Sequence, residues 1–157
     1  MKKRVPFCGF ILATFALLGA APAQQSVTPA TKPSAPVVEQ ALKGPTTLLD
    51  VPYVTGGHER QRLDLYVPAA GKAPRPLVVW IHGGGWEAGS KKDSPARAMV
   101  GLGYAVANIG YRLSQHAVYP AQLEDCKAAI RWLRANAKEY GIDPERIGVW
   151  GASAGGH

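Results

Sequence analysis

The sequence predicts an α/β domain in which a mostly parallel central sheet is flanked by helices, and three observations carry that prediction. Residues 77–81, Leu-Val-Val-Trp-Ile, are five apolar residues without alternation, the pattern of a strand covered on both faces. Residues 104–109 and 147–150 have the same texture. Helical patterns lie between these runs, so residues 77–150 read strand, helix, strand, helix, strand, the order that builds parallel crossovers. The chain has 157 residues, 46% apolar and 18% charged, which suits about one domain of ~100–200 residues. That balance excludes a disordered, collagenous or coiled-coil protein.

Taken from the N-terminus, Lys2, Lys3 and Arg4 precede an apolar stretch at 7–20, and Ala21-Pro22-Ala23 supplies the small residues a signal peptidase reads. Residues 1–23 are expected to be a secretory signal peptide cleaved after Ala23, which places the protein outside the cell or in the periplasm. A membrane anchor is not expected, because ~14 apolar residues fall short of the ~20 that span a bilayer. Cys8 precedes the apolar core and is not placed for lipidation. The formal charge of +7 loses three of its eighteen basic residues with that peptide, leaving fifteen against eleven acidic ones. No cluster of five basic residues remains, so no nucleic-acid partner is expected. Cys126 becomes the only cysteine, which rules out an internal disulfide.

Residues 24–45 are rich in Pro, Ala, Ser and Thr and read as a flexible, extended leader. The folded domain is expected over 46–157. Residues 48–54 and 62–67 are strand candidates joined by the turn Gly56-Gly57-His58-Glu59, and the alternation of Leu63, Leu65 and Val67 with Asp64 and Tyr66 suits a half-buried antiparallel hairpin. After 77–81, a short helix is predicted over 94–102, with Pro95 in its first turn and Gly103 as its stop. A longer one is predicted over 120–140, with Leu123, Cys126, Ile130, Leu133 and Ala137 on one face and Gly141 closing it. Glu124 and Asp125 near its start and Lys127, Arg131, Arg134 and Lys138 beyond them agree with the helix dipole.

Two glycine motifs carry the chemistry. Gly151-Ala152-Ser153-Ala154-Gly155 directly follows a predicted buried strand, the context in which G-x-S-x-G forms a nucleophile elbow. A helix expected from Ala154 would offer unpaired N–H groups to a developing oxyanion. His82-Gly83-Gly84-Gly85-Trp86 follows the other long buried strand, and its successive glycines make a loop whose N–H groups can face a substrate carbonyl oxygen. Loss of one such donor costs about 2.7–4 kcal/mol in the transition state.

With these motifs, Tyr111-Arg112-Leu113, Pro120-Ala121-Gln122-Leu123-Glu124-Asp125, Arg131-Trp132-Leu133 and the closing Gly155-Gly156-His157, the chain resembles α/β-hydrolases of the hormone-sensitive-lipase and acetyl-xylan/feruloyl-esterase-like groups over residues 46–157. The resemblance implies Ser153 as nucleophile. It also implies the backbone N–H groups of Gly84, Gly85 and Ala154 as the oxyanion hole, with Gly83 the next candidate, and His82 and Gly83 as support for the loop. The expected activity is that of a serine carboxylesterase passing through an acyl-enzyme, on small or polysaccharide-linked esters of short or aromatic acids, without a cofactor or metal. In this fold the triad runs Ser, then Asp or Glu, then His. No acid follows Ser153, and His157, the one histidine downstream, is expected to pack behind the elbow. The C-terminal half of the fold is therefore expected to be absent, and this chain alone to be inactive and prone to aggregate.

Alternatives stand beside that reading: a serine peptidase of the dipeptidyl type, for which 24–45 leave no room for a propeller domain, and a noncatalytic hydrolase-like or truncated protein. His58 and His116 fall in turns and are expected to be solvated. Trp86 either lines the substrate pocket or pins the loop, whereas Trp80 and Trp132 are expected in the core. Arg112 is a candidate for a structural ion pair, and no catalytic role is assigned to it or to Tyr111. Asp125 is read as a helix-start acid. The stretch Gly84 to Lys91 ends Gly-Ser-Lys, the wrong order for a phosphate loop.

Overall fold

A computed structural model describes residues 45–69 and 74–157. The signal peptide read at 1–23 and nearly all of the 24–45 leader lie outside the described residues. Five strands form one sheet in the order β1-β2-β4-β3-β5, with β1 at Thr46–Pro52, β2 at Arg62–Val67, β3 at Arg75–Ile81, β4 at Ala105–Ile109 and β5 at Ile142–Gly151. The sheet is mixed. β3 pairs in parallel with β4 and with β5, while the β1–β2 hairpin is antiparallel and β2 joins β4 antiparallel. The apolar runs at 77–81 and 104–109 fall on β3 and β4, which with β2 are the strands that have a described neighbour on both sides.

Helices cover both faces. Leu63, Leu65, Leu77, Val79, Ala105, Ala107 and Ile109 pack against Ala128, Ala129, Trp132 and Leu133 of α1, Ala121–Ala135. On the other face Trp80 and Val106 meet Ala96, Met99 and Val100 of a 3-10 helix at Pro95–Leu102. Gly103 stops that helix in the left-handed conformation, φ 87°. Trp80 and Trp132 are core residues as predicted. β2 is more deeply buried than a half-exposed hairpin strand, because Asp64 turns inward to the ammonium of Lys91.

Three expectations need correction. The helix predicted to run to Tyr140 ends at Ala135, where Asn136 turns its side-chain amide onto the Trp132 carbonyl at 2.8 Å, a local bond that competes with helix continuation. Leu123, predicted on its buried face, is 43% exposed. Asp125 faces the interior instead, and a residue two positions away on a helix lies about 200° round the axis. Residues 147–150, predicted to be covered on both faces, belong to an edge strand with β3 as its one described neighbour; Val149 and Trp150 are accordingly exposed, and the Trp150 ring rests edge-on against Trp80.

Candidate active site

Parallel pairing of β3 with β5 sets Ile81 opposite Gly151, so the two glycine motifs leave the sheet side by side. Ala152 N–H donates to the Ile81 carbonyl at 3.3 Å. The bends then touch. A Cβ placed on Gly83 would lie 2.8 Å from the Ala152 carbonyl oxygen and 3.3 Å from Ser153 Cβ, and one on Gly155 would lie 2.6 Å from the His82 carbonyl oxygen. Glycine at these positions is what lets the two backbones approach so closely.

Ser153 is exposed at the crest of the second bend with φ 49°. A non-glycine residue in that left-handed region carries backbone strain of ~1–2 kcal/mol, and strained residues that persist cluster at functional sites. The helix expected from Ala154 is observed only as one 3-10 turn, Ser153–Gly155, closed by Gly155 N–H to the Ala152 carbonyl at 2.8 Å. The donors are individual amides. Among the described residues the N–H groups of Gly84, Gly85 and Ala154 have no hydrogen-bond acceptor.

The glycine loop is built around positive φ angles, 119° at Gly84, 60° at Gly85 and 61° at Trp86. The Gly84 carbonyl closes it by accepting from Glu87 N–H at 3.1 Å and Ala88 N–H at 2.9 Å. Ser114 N–H donates to the Trp86 carbonyl at 2.8 Å, tying the loop to the segment after β4. Beside it opens a cleft of about 760 Å³, walled by Ile81, Trp86, Tyr111, Leu123 and Cys126 and floored by residues 154–157, within the size range of small-molecule sites. Trp86 lines this cleft and meets the His157 ring edge-on at 5.4 Å. His157 thus packs on Trp86, and no hydrogen bond joins it to Ser153. Burial, with the Asp125 charge adding to it, pushes the Cys126 thiol up to about 12, so this wall of the cleft is a neutral thiol near pH 7 and not a second nucleophile.

His82 is buried, and its Nδ1 lies 2.7 Å from the Gly83 carbonyl. A carbonyl only accepts, so Nδ1 carries the proton and Nε2 is left as a buried lone pair without a partner. Burial also lowers the pKa of this imidazole. A ring committed in this way braces the loop and is not aimed at Ser153. His116 is exposed as expected and His58 half-buried; the two rings pack on each other at 4.6 Å, and their Nδ1 atoms accept from Leu113 N–H and Arg60 N–H. Lys91 is engaged by Asp50 and Asp64, which leaves nothing of a phosphate loop in the stretch before it.

Asp125 has a different task from the helix-start acid read in the sequence. It is buried, and its carboxylate accepts from Gln61 Nε2 at 2.7 Å, Arg112 N–H at 2.9 Å, and Arg112 Nε and Nη2 at 2.9 and 2.8 Å. The ion pair suggested for Arg112 is this bidentate one. Periodicity could not find it, since a carboxylate in an amphipathic helix ordinarily faces water. The usable signal was a lone acid placed where an apolar residue fits the stripe. Removing one partner of a buried pair strands the other, so Asp125→Ala should cost about 3–5 kcal/mol in the urea unfolding of the full-length protein. A loss under about 1 kcal/mol would show that the four bonds hold little.

Residues 63–157 match the BD-FAE family model. The chain belongs to the BD-FAE family of α/β-hydrolases. This BD-FAE chain is 39% identical over 123 residues to the carboxylesterase NlhH of Mycobacterium tuberculosis, an alignment covering 76% of the chain and 35% of that protein. Among solved structures it is similar to a truncated carbohydrate esterase from gut microbiota, with a TM-score of 0.67 and 38% identity over 73% of the chain and 44% of that one. It is also similar to esterase B of Lactobacillus rhamnosis inhibited by a tributyrin phosphonate, with a TM-score of 0.66 and 30% identity over 78% and 43%. The BD-FAE chain therefore spans about a third of the curated relative and less than half of either structure.

Proposed function

We propose that the protein is a serine carboxylesterase in which Ser153 is the nucleophile. The observation that carries this reading is the contact between a strained, exposed serine and a glycine loop whose amides have no internal acceptor. Ser153 Oγ attacks the ester carbonyl carbon, its proton passes to a base, and the carbonyl oxygen becomes an oxyanion facing the N–H groups of Gly84, Gly85 and Ala154. Collapse of that intermediate breaks the bond to the alcohol, which leaves protonated, and water then releases the acid from the acyl-serine. Neither His82, committed to the Gly83 carbonyl, nor His157, set against Trp86, is assigned as that base.

The aromatic wall of Trp86 and Tyr111 beside the cleft supports short or aromatic acyl groups, and the carbohydrate esterase among the relatives supports an ester carried on a saccharide. The basic-apolar-small order of residues 1–23 supports export. The deciding experiment treats the full-length protein with a fluorophosphonate, which captures an activated serine, followed by peptide mapping. The adduct is expected on Ser153; an adduct on another serine, or none under conditions that label a control esterase, overturns the assignment.

A further inference from the structure

Tyr111, the second residue after β4, is 1% exposed. Its hydroxyl donates to the His82 carbonyl at 2.8 Å, and its ring stacks on the His82 imidazole with centroids 4.4 Å apart and planes 13° from parallel. Tyr111 is itself fixed. Its carbonyl accepts from Arg60 Nε at 3.0 Å, and the next residue donates its N–H to the buried carboxylate of Asp125.

These contacts reach the oxyanion donors through peptide planarity. The His82 carbonyl shares a peptide with the Gly83 N–H, and the Gly83 carbonyl shares one with the Gly84 N–H. In a trans peptide the two groups point in opposite directions, and both of these peptides are trans. Tyr111 holds the first through its hydroxyl. The second is held by His82 Nδ1–H on the Gly83 carbonyl, and the imidazole that makes this bond is the ring on which Tyr111 stacks. Both supports leading to the Gly84 amide therefore run through one side chain.

We propose that Tyr111 is a positioning residue for the ester hydrolysis: its phenol, fixing the His82 carbonyl and covering the His82 ring, sets the direction in which the Gly84 N–H points. The inference rests on the esterase reading above and adds a residue to it. Burial pushes the phenol up to about 12, so its O–H remains a donor at neutral and mildly alkaline pH. No contact with the reacting atoms is required, because an oxyanion donor is effective only when aimed beforehand at the place the charge will occupy.

The test is Tyr111→Phe in the full-length protein, which keeps the stacked ring and removes the donor. For p-nitrophenyl acetate, kcat per fluorophosphonate-titrated site should fall about tenfold, the upper range for one intramolecular hydrogen bond, with KM changed less than about twofold. Affinity for a trifluoromethyl ketone should fall by a similar factor, since its serine adduct puts an oxyanion in the same place. Tyr111→Leu removes the stack as well and should lose more on both measures; titration run to completion counts only folded sites. A merely structural tyrosine would lower the titrated amount and leave kcat per site and ketone affinity unchanged, and that result overturns the inference. Ser153→Ala is assayed alongside. If it is inactive while Tyr111→Phe is unimpaired, only the role of Tyr111 falls; if it hydrolyses at the wild-type rate, the esterase reading falls and this inference with it.

Discussion

Ser153→Ala in the full-length protein should lower kcat for p-nitrophenyl acetate by about 10⁶-fold, the scale seen when a triad serine is removed. The residue left behind still faces the Gly84, Gly85 and Ala154 amides, so a remnant rate of roughly 10³–10⁴ over water is the expected floor. Folding should be almost untouched, because alanine has the same Cβ in the same left-handed backbone, φ 49°, and Ser153 makes no side-chain hydrogen bond among the described residues. Ser153→Gly separates chemistry from folding further. It removes the Cβ penalty of ~1–2 kcal/mol and should melt higher than the parent while being just as inactive. Wild-type turnover by Ser153→Ala, or a glycine variant that melts lower, would show that this serine is neither the nucleophile nor held under strain.

The parts of this site legible in the sequence are those fixed by short-range chemistry. Leu77 to Ile81 could only be a covered strand, and a serine between glycines directly after residues 147–150 has few uses other than a tight, exposed turn. What the sequence concealed depends on the angle at which elements meet. Leu123 fits the apolar stripe of α1 better than Asp125 does, yet Asp125 is buried and Leu123 is not, because four donors from Gln61 and Arg112 hold the carboxylate inside, while Cys126, Ile130 and Leu133 keep to the core as the stripe predicts. Those donors come from the residue before β2 and the segment after β4, and no local window contains them together. The bracing of His82 by Tyr111 was hidden for the same reason: 29 residues separate the partners. The apolar texture of 147–150 records the neighbours a strand can take, and β5 stands at the edge of the described sheet with Val149 exposed.

Gly84→Ala should carry the second-largest effect, and its cause is backbone geometry. Gly84 has φ 119°, a conformation an L-residue scarcely adopts, and a Cβ there would enter the Ala88 backbone that Gly84 itself holds through its carbonyl. Neither neighbour can yield without breaking the bonds from Glu87 and Ala88, so the loop must open. Opening it turns the peptides that carry the Gly84 and Gly85 amides. Loss of one oxyanion donor costs about 10²–10³ in kcat, and kcat for p-nitrophenyl acetate should fall by at least that factor with KM little changed. Gly85→Ala is the informative contrast. Its φ of 60° is also left-handed, but a Cβ there meets nothing within 4 Å, so the variant pays only ~1–2 kcal/mol of backbone strain and the loop keeps its shape. Steady-state kinetics on both variants, normalised to titrated sites, should rank Gly85→Ala well above Gly84→Ala. The reverse ranking would mean that the amides are not held by the Gly84 carbonyl, and the account of how this loop is aimed would have to be abandoned.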